Sequence, residues 1–218
     1  MARLPRQQHE LSALPHRERG ARIIFDANSA LCGAAPQTDP TPVAKADSKP
    51  TAPLEITGPW EVRFPPNLGA PPSRVFDQLV SWTTIPDDGI KYFSGTATYL
   101  KEFEVPPSLL ADGRRLELDL GHLRNVADAT LNGKPLGILW KPPYSIDITG
   151  AVRAGKNTLV VEVANTWTNR LTGDAFLPPE QRYARSNMRA SLSRKETPLQ
   201  PSGLLGPVRI ILAKNVKL

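Results

Sequence analysis

Two short stretches of this chain set aromatic side chains beside amides, a guanidinium and a carboxylate. One is Trp140-Lys141-Pro142-Pro143-Tyr144; the other is NTWTNRLTGD, with Asn165, Trp167, Asn169, Arg170 and Asp174. Proteins hold sugars with such a set: an aromatic face takes the C–H side of the ring, and a few placed polar groups take the hydroxyls. Each stretch admits a second reading. Trp140 and Tyr144 can pack between sheets or against a neighbouring domain, and the Asn165–Asp174 group can close a loop or face another domain. Cleavage of a glycosidic bond asks for more, usually two carboxyl groups about 5–10 Å apart with one kept protonated. Glu102, Glu104, Glu117, Asp119 and Glu162 fall on polar strand faces, where a solvated carboxylate is expected, and Asp87-Asp88 sits in a turn, which Asp favours. No catalytic residue is assigned.

The elements that must position these residues are strands. Asn132-Gly133 is a two-residue hairpin signal, since the tight turn needs positive φ at both positions. Tyr144, Ile146 and Ile148 alternate with Ser145 and Asp147; Leu159, Val161 and Val163 repeat the pattern; Val208, Ile210 and Leu212 point inward with Arg209 outward. Leu116, Leu118 and Leu120 against Glu117 and Asp119 form the clearest alternation. Strands are expected at Trp60–Phe64, Thr96–Val105, Leu116–Leu120, Val126–Leu131, Leu136–Trp140, Tyr144–Ile148, Thr158–Val163 and Val208–Leu212. NTWTNRLTGD is expected as a loop at the rim, Gly203 and Gly206 as turn glycines, and helix only as single turns at Ser108–Ala111 and Gly150–Arg153. The fold class is all-β, an antiparallel jelly-roll β-sandwich.

In order, the strings ITGPWEVRF, FDQLVSW, GIKYFSGTATYLKEFEVP, LNGKPLGILWKPPY, ITGAVRAGKNTLVVEV, NTWTNRLTGD and PSGLLGPVRI resemble the carboxy-terminal β-sandwich of glycoside hydrolase family 106, the α-L-rhamnosidases. More distantly they are similar to the sugar-binding domain of family 2 glycosidases. The resemblance covers about residues 54 to 214. It implies a galactose-binding-like sandwich, and an accessory role for Asp174, whose counterpart in family 2 reaches the active site of a neighbouring barrel. The basic segment Gln181–Thr197 departs from the family pattern, which puts sugar contacts from that side in doubt.

Length bears on the same point. At 218 residues the chain has room for one sandwich and an appendage, whereas a TIM barrel alone takes roughly 250. The expectation is an accessory domain or fragment without the catalytic barrel, inactive alone. A free-standing carbohydrate-binding module for rhamnose-containing glycans, and a sandwich that docks onto a separately encoded barrel, are the alternatives. The partners expected are accordingly a rhamnose-containing glycan or a glycosidase barrel.

Composition narrows the rest. A formal charge of +6 favours polyanions only if the cations cluster, and the one cluster, Arg182, Arg185, Arg189, Arg194 and Lys195, has Tyr183 alone for base stacking, so no nucleic-acid partner is expected. The single cysteine, Cys32, excludes an intrachain disulfide and a cysteine-built zinc site, and His9, His16 and His122 are scattered. No cofactor is expected; a structural calcium ion, frequent in galactose-binding-like sandwiches, is not indicated by any residue pattern. No apolar run reaches membrane-spanning length and the first 30 residues hold no continuous signal core, although the parent family is often exported, so localisation stays open. Residues 1–53 are a disordered leader and linker by composition, arginine-rich at first and then rich in Ala, Pro, Thr, Asp and Lys from Ala34 to Pro53, with residues 1–33 open to a second reading as the scar of a disrupted gene; residues 54–218 are the domain.

Overall fold

The computed structural model describes residues 52–185 and 195–213. The expected disordered leader, Ala52 and Pro53 apart, and Arg189 and Arg194 of the basic cluster lie outside the described residues. What is described is an antiparallel β-sandwich with little helix, as the all-β expectation has it. The strands are β1 (Leu54–Glu55), β2 (Trp60–Arg63), β3 (Ser73–Phe76), β4 (Thr96–Val105), β5 (Leu116–Asp119), β6 (His122–Arg124), β7 (Val126–Leu131), β8 (Lys134–Leu139), β9 (Ser145–Asp147), β10 (Gly155–Ala164), β11 (Gly203–Gly206) and β12 (Arg209–Leu212). Two short helices, α1 (Asp88–Lys91) and α2 (Thr168–Asp174), join them.

One sheet has the order β3-β2-β4-β10-β7-β8, the facing one β1-β12-β5-β9, and β11 pairs with β6 in a two-stranded ribbon. The spine is β4 against β10, ten paired positions from Gly155↔Val105 to Ala164↔Thr96. Its inward residues, Ala97, Tyr99, Leu159, Val161 and Val163, are fully buried, as strict alternation on a half-covered sheet requires. Leu116, Leu118 and Ile210 answer from the facing sheet. Each such Leu, Ile or Val side chain contributes about 1.5–3 kcal/mol of transfer free energy.

At one end the core is aromatic. Trp82 stacks on Tyr99 with an interplanar angle of 14°, and Phe64 and Phe93 meet Trp82 edge-on. Burial of their polar tips costs little, because Trp82 Nε1 donates to Tyr99 Oη at 2.6 Å and Leu204 N donates to the same oxygen at 3.0 Å. Burial pushes the Tyr99 phenol well above its ordinary pKa, so it stays neutral. Gly203 lies over this pair with φ +95°, and a Cβ there would fall 2.5 Å from Trp82 Nε1 and from Tyr99 Oη.

Several expectations need correction. NTWTNRLTGD is not a loop: its last seven residues are α2. Gly203 and Gly206 are the ends of β11 rather than turn residues, with irregular pairing to β6 between Leu204 and Gly206, but the tight backbone geometry expected of them is there, at φ of 95° and 67°. Strands β1, β3, β6 and β11, two to four residues each, are too short for an alternating pattern to stand out. Helix α1 was hidden in a turn signal, for Asp87 caps it by accepting from Gly89 N and Ile90 N. The Asn132-Gly133 hairpin stands as read, with φ of 53° and 78° between β7 and β8.

Candidate functional site

Helix α2 follows β10 directly, and its side-chain spacing decides which groups turn inward. Residues four apart lie on one face of a helix, so within α2 Arg170 sits above Asp174, while Asn165, ahead of the helix, meets Asn169 through their shared partner Ser202. Both pairs face the sandwich. Asn169, Arg170, Thr172 and Asp174 are buried.

The two asparagines act as clamps. Asn165 accepts from Gly95 N at 2.9 Å and donates to Phe93 O at 2.9 Å and Ser202 Oγ at 3.1 Å. Asn169 donates to Gln200 O and Ser202 Oγ, both at 2.8 Å, and accepts from Gln200 N at 2.8 Å. Each amide thus satisfies backbone left unpaired where the chain enters β4 and β11, and Ser202 Oγ joins the two. Arg170 N donates to Ser94 Oγ at 3.1 Å, tying the helix to the same segment.

Arg170 and Asp174 form an ion pair, Nε to Oδ1 at 3.0 Å, with both side chains 4% exposed. The Nε–H does not point along that line, so the contact is electrostatic rather than a hydrogen bond. The guanidinium also lies beneath Tyr183, 4.7 Å from the ring centroid. Asp174 accepts from Ala184 N at 2.7 Å and Tyr183 N at 3.3 Å, which holds that ring in place. Gly173 permits the packing: a Cβ there would meet Arg170 Nη2 at 2.5 Å and Tyr92 Cβ at 2.6 Å. Asp174 is the one buried carboxylate among the described residues, and both its oxygens are engaged.

Of the seven residues singled out in the sequence, two present a large open face. Trp167 is 53% exposed where α2 begins, and Trp140 is 66% exposed after β8 with Lys141 Nζ 5.5 Å from its ring centroid. Tyr144 is buried at the start of β9, its carbonyl accepting from Leu120 N. Trp140 and Tyr144 lie where β8 and β9, the end strands of the two sheets, are joined, whereas the other five gather around α2. No hydrogen bond or ring contact among the described residues links the two groups. At the end of β9, Asp147 accepts from Arg115 Nη2 at 2.8 Å and Thr149 N at 2.8 Å, which lowers its carboxyl pKa to about 2.

Tyr183, Ser94, Ser202 and Gln200 belong to the α2 site and were not found from sequence. Nothing local marks them, since each lies nine to 76 residues from its partner. The four-residue spacing of Arg170 and Asp174 is a signal that could have marked the helix. Among the described residues no group of three or more His, Cys, Asp or Glu side chains could hold a metal ion, and no helix is long and apolar enough to cross a membrane.

The family described as glycosyl hydrolase 2 galactose-binding domain-like matches residues 60–197. A protein of Formosa agariphila that carries the name β-glucuronidase as a provisional assignment is 42% identical over 179 residues, covering 72% of this chain and 15% of that protein. The solved rhamnosidase of Novosphingobium sp. PP1Y is 42% identical with a TM-score of 0.67, covering 76% of this chain and 15% of the enzyme. The chain therefore spans about 15% of the length of these relatives.

Proposed function

Because the chain belongs to the glycosyl hydrolase 2 galactose-binding domain-like family, we propose that residues 54–218 serve as the accessory sandwich of an α-L-rhamnosidase-like glycoside hydrolase of family 106. In this reading the sandwich braces a catalytic body and shapes the edge of its active site, and it does not break the glycosidic bond itself. The observation that carries it is the state of Asp174. Hydrolysis calls for a protonated acid facing the leaving oxygen and a second carboxylate nearby. The one buried carboxylate among the described residues is instead engaged by Arg170 and two backbone amides. Its accessory role is then to fix Tyr183 and Ala184, and through them the surface beside α2. The likeness to the Novosphingobium rhamnosidase, 42% identical at a TM-score of 0.67, supports the choice of parent activity.

A chimera tests it. Residues 54–213 of this chain, placed in the Novosphingobium rhamnosidase where the matching region stands, should leave an enzyme that turns over aryl α-L-rhamnosides. A folded chimera without turnover would contradict the reading, as would turnover by this chain alone. The open faces of Trp140 and Trp167 favour a second reading, a carbohydrate-binding module. It requires heat on titration with rhamnosides that is lost in Trp140→Ala or Trp167→Ala.

A further inference from the structure

A cleft of about 500 Å³ opens at the edge of the sandwich opposite Trp140, where β1 ends one sheet and β3 ends the other. Its size lies in the range of about 300–1,000 Å³ that small-ligand sites occupy. The chain leaving β1 supplies Glu55 and Thr57, the chain leaving β3 supplies Asp77, Gln78 and Leu79, and Leu205 closes it from the ribbon. Leu79 and Leu205 are half-buried and give the cleft an apolar side. The side chains of Thr57, Asp77 and Gln78 are exposed and bond no other described residue, which leaves a hydroxyl, a carboxylate and an amide unengaged around one opening. This is the reverse of the α2 site, where the same chemical groups are consumed by the fold.

We propose that this cleft is a second sugar subsite, selective for a neutral hexose or deoxyhexose unit. The choice of a sugar as ligand rests on the glycan-processing reading; the cleft itself does not. A hydroxylated ring has donors for Asp77 Oδ and Glu55 Oε and both kinds of partner for Gln78 and Thr57, while its C–H face or a methyl group meets Leu79 and Leu205. The two carboxylates set the selectivity. Glu55 is only partly compensated, by Arg209 at 3.7 Å, and Asp77 has no ion-pair partner among the described residues, so a uronate would bring a third negative charge to the same opening.

Titration of the isotopically labelled full chain with L-rhamnose and with D-glucuronate, followed by amide chemical shifts, tests this. Saturable shifts at Thr57, Gln78 and Leu79 are expected with rhamnose, with a dissociation constant on the order of 1 mM, and weaker shifts with glucuronate. Gln78→Ala and Asp77→Asn, both at exposed positions, should weaken the rhamnose response about tenfold, while Trp140→Ala leaves it unchanged. Equal response to both sugars, or wild-type binding by both cleft variants, overturns the proposal. Shifts confined to Trp140 or Trp167 overturn it too and leave the glycan-binding reading standing. The absence of any shift overturns the cleft alone, since the accessory role is decided by the chimera.

Discussion

The α2 corner and the Trp140–Tyr144 loop look alike as strings, each an aromatic set among polar residues, yet the fold uses them in opposite ways. Around α2 the amides, the guanidinium and the carboxylate turn inward and are engaged by backbone and by one another, and only Trp167 stands out. In the loop the aromatic residue faces out with a lysine over it, and the polar work is done by neighbours in β9. The lesson is that residue type specifies what a side chain can bond and topology specifies with whom. A helix beginning where a ten-residue strand ends has bare backbone on both sides to satisfy, and the nearest polar side chains are drawn into that task.

The sharpest way to break this contrast is Asp174→Ala. It strands a buried guanidinium and two amides and should cost about 3–5 kcal/mol, a fall in Tm on the order of 10 °C by thermal unfolding. Asn169→Ala removes three hydrogen bonds and leaves Gln200 N unanswered, while Ser202 Oγ keeps Asn165 and Gln200 O; denaturant unfolding should register a loss of about 1–3 kcal/mol. Trp140→Ala and Trp167→Ala, at open positions, should change stability by no more than about 0.5 kcal/mol, so a large loss at either would erase the distinction.

Acid gives the smallest effect and belongs to the loop side. Arg115, and then Thr149, hold the Asp147 carboxyl down at about 2, below its ordinary 3.8. A folded-state pKa lowered in this way adds stability that is present above the unfolded value and is lost as pH falls through the folded one. Amide shifts of Ser145–Asp147 should therefore titrate with a midpoint near pH 2 and be flat near pH 4, and the side chain is exposed enough that global unfolding should scarcely follow.

How much of this the sequence disclosed depends on the length of each element and the reach of its contacts. The alternation of Leu159, Val161 and Val163 and the Asn132-Gly133 turn are local and periodic, and both are found where expected. Strands β6 and β11 offer three or four residues, with glycines at both ends of β11, so neither period nor propensity announces them. The candidate site was legible in composition and not in partnership. Trp140 and Trp167 are exposed, whereas the bonds of Asn165 and Asn169 to Phe93, Gln200 and Ser202 span loops whose approach is fixed only when both sheets have formed. Asp174 shows the same limit: its proximity to Arg170 is written in the spacing of four, but the amides of Tyr183 and Ala184 are not.

A double-mutant cycle on Arg170 and Asp174 reaches the centre of the account, using Arg170→Met, Asp174→Leu and the pair together with unfolding free energies by denaturant. If the two side chains are a structural unit, the losses of the two single variants should add up to about 2 kcal/mol more than the loss of the double variant. Additivity within about 0.5 kcal/mol, with every variant as stable as the parent protein, would contradict it and return both residues to the pool of groups free to meet a sugar.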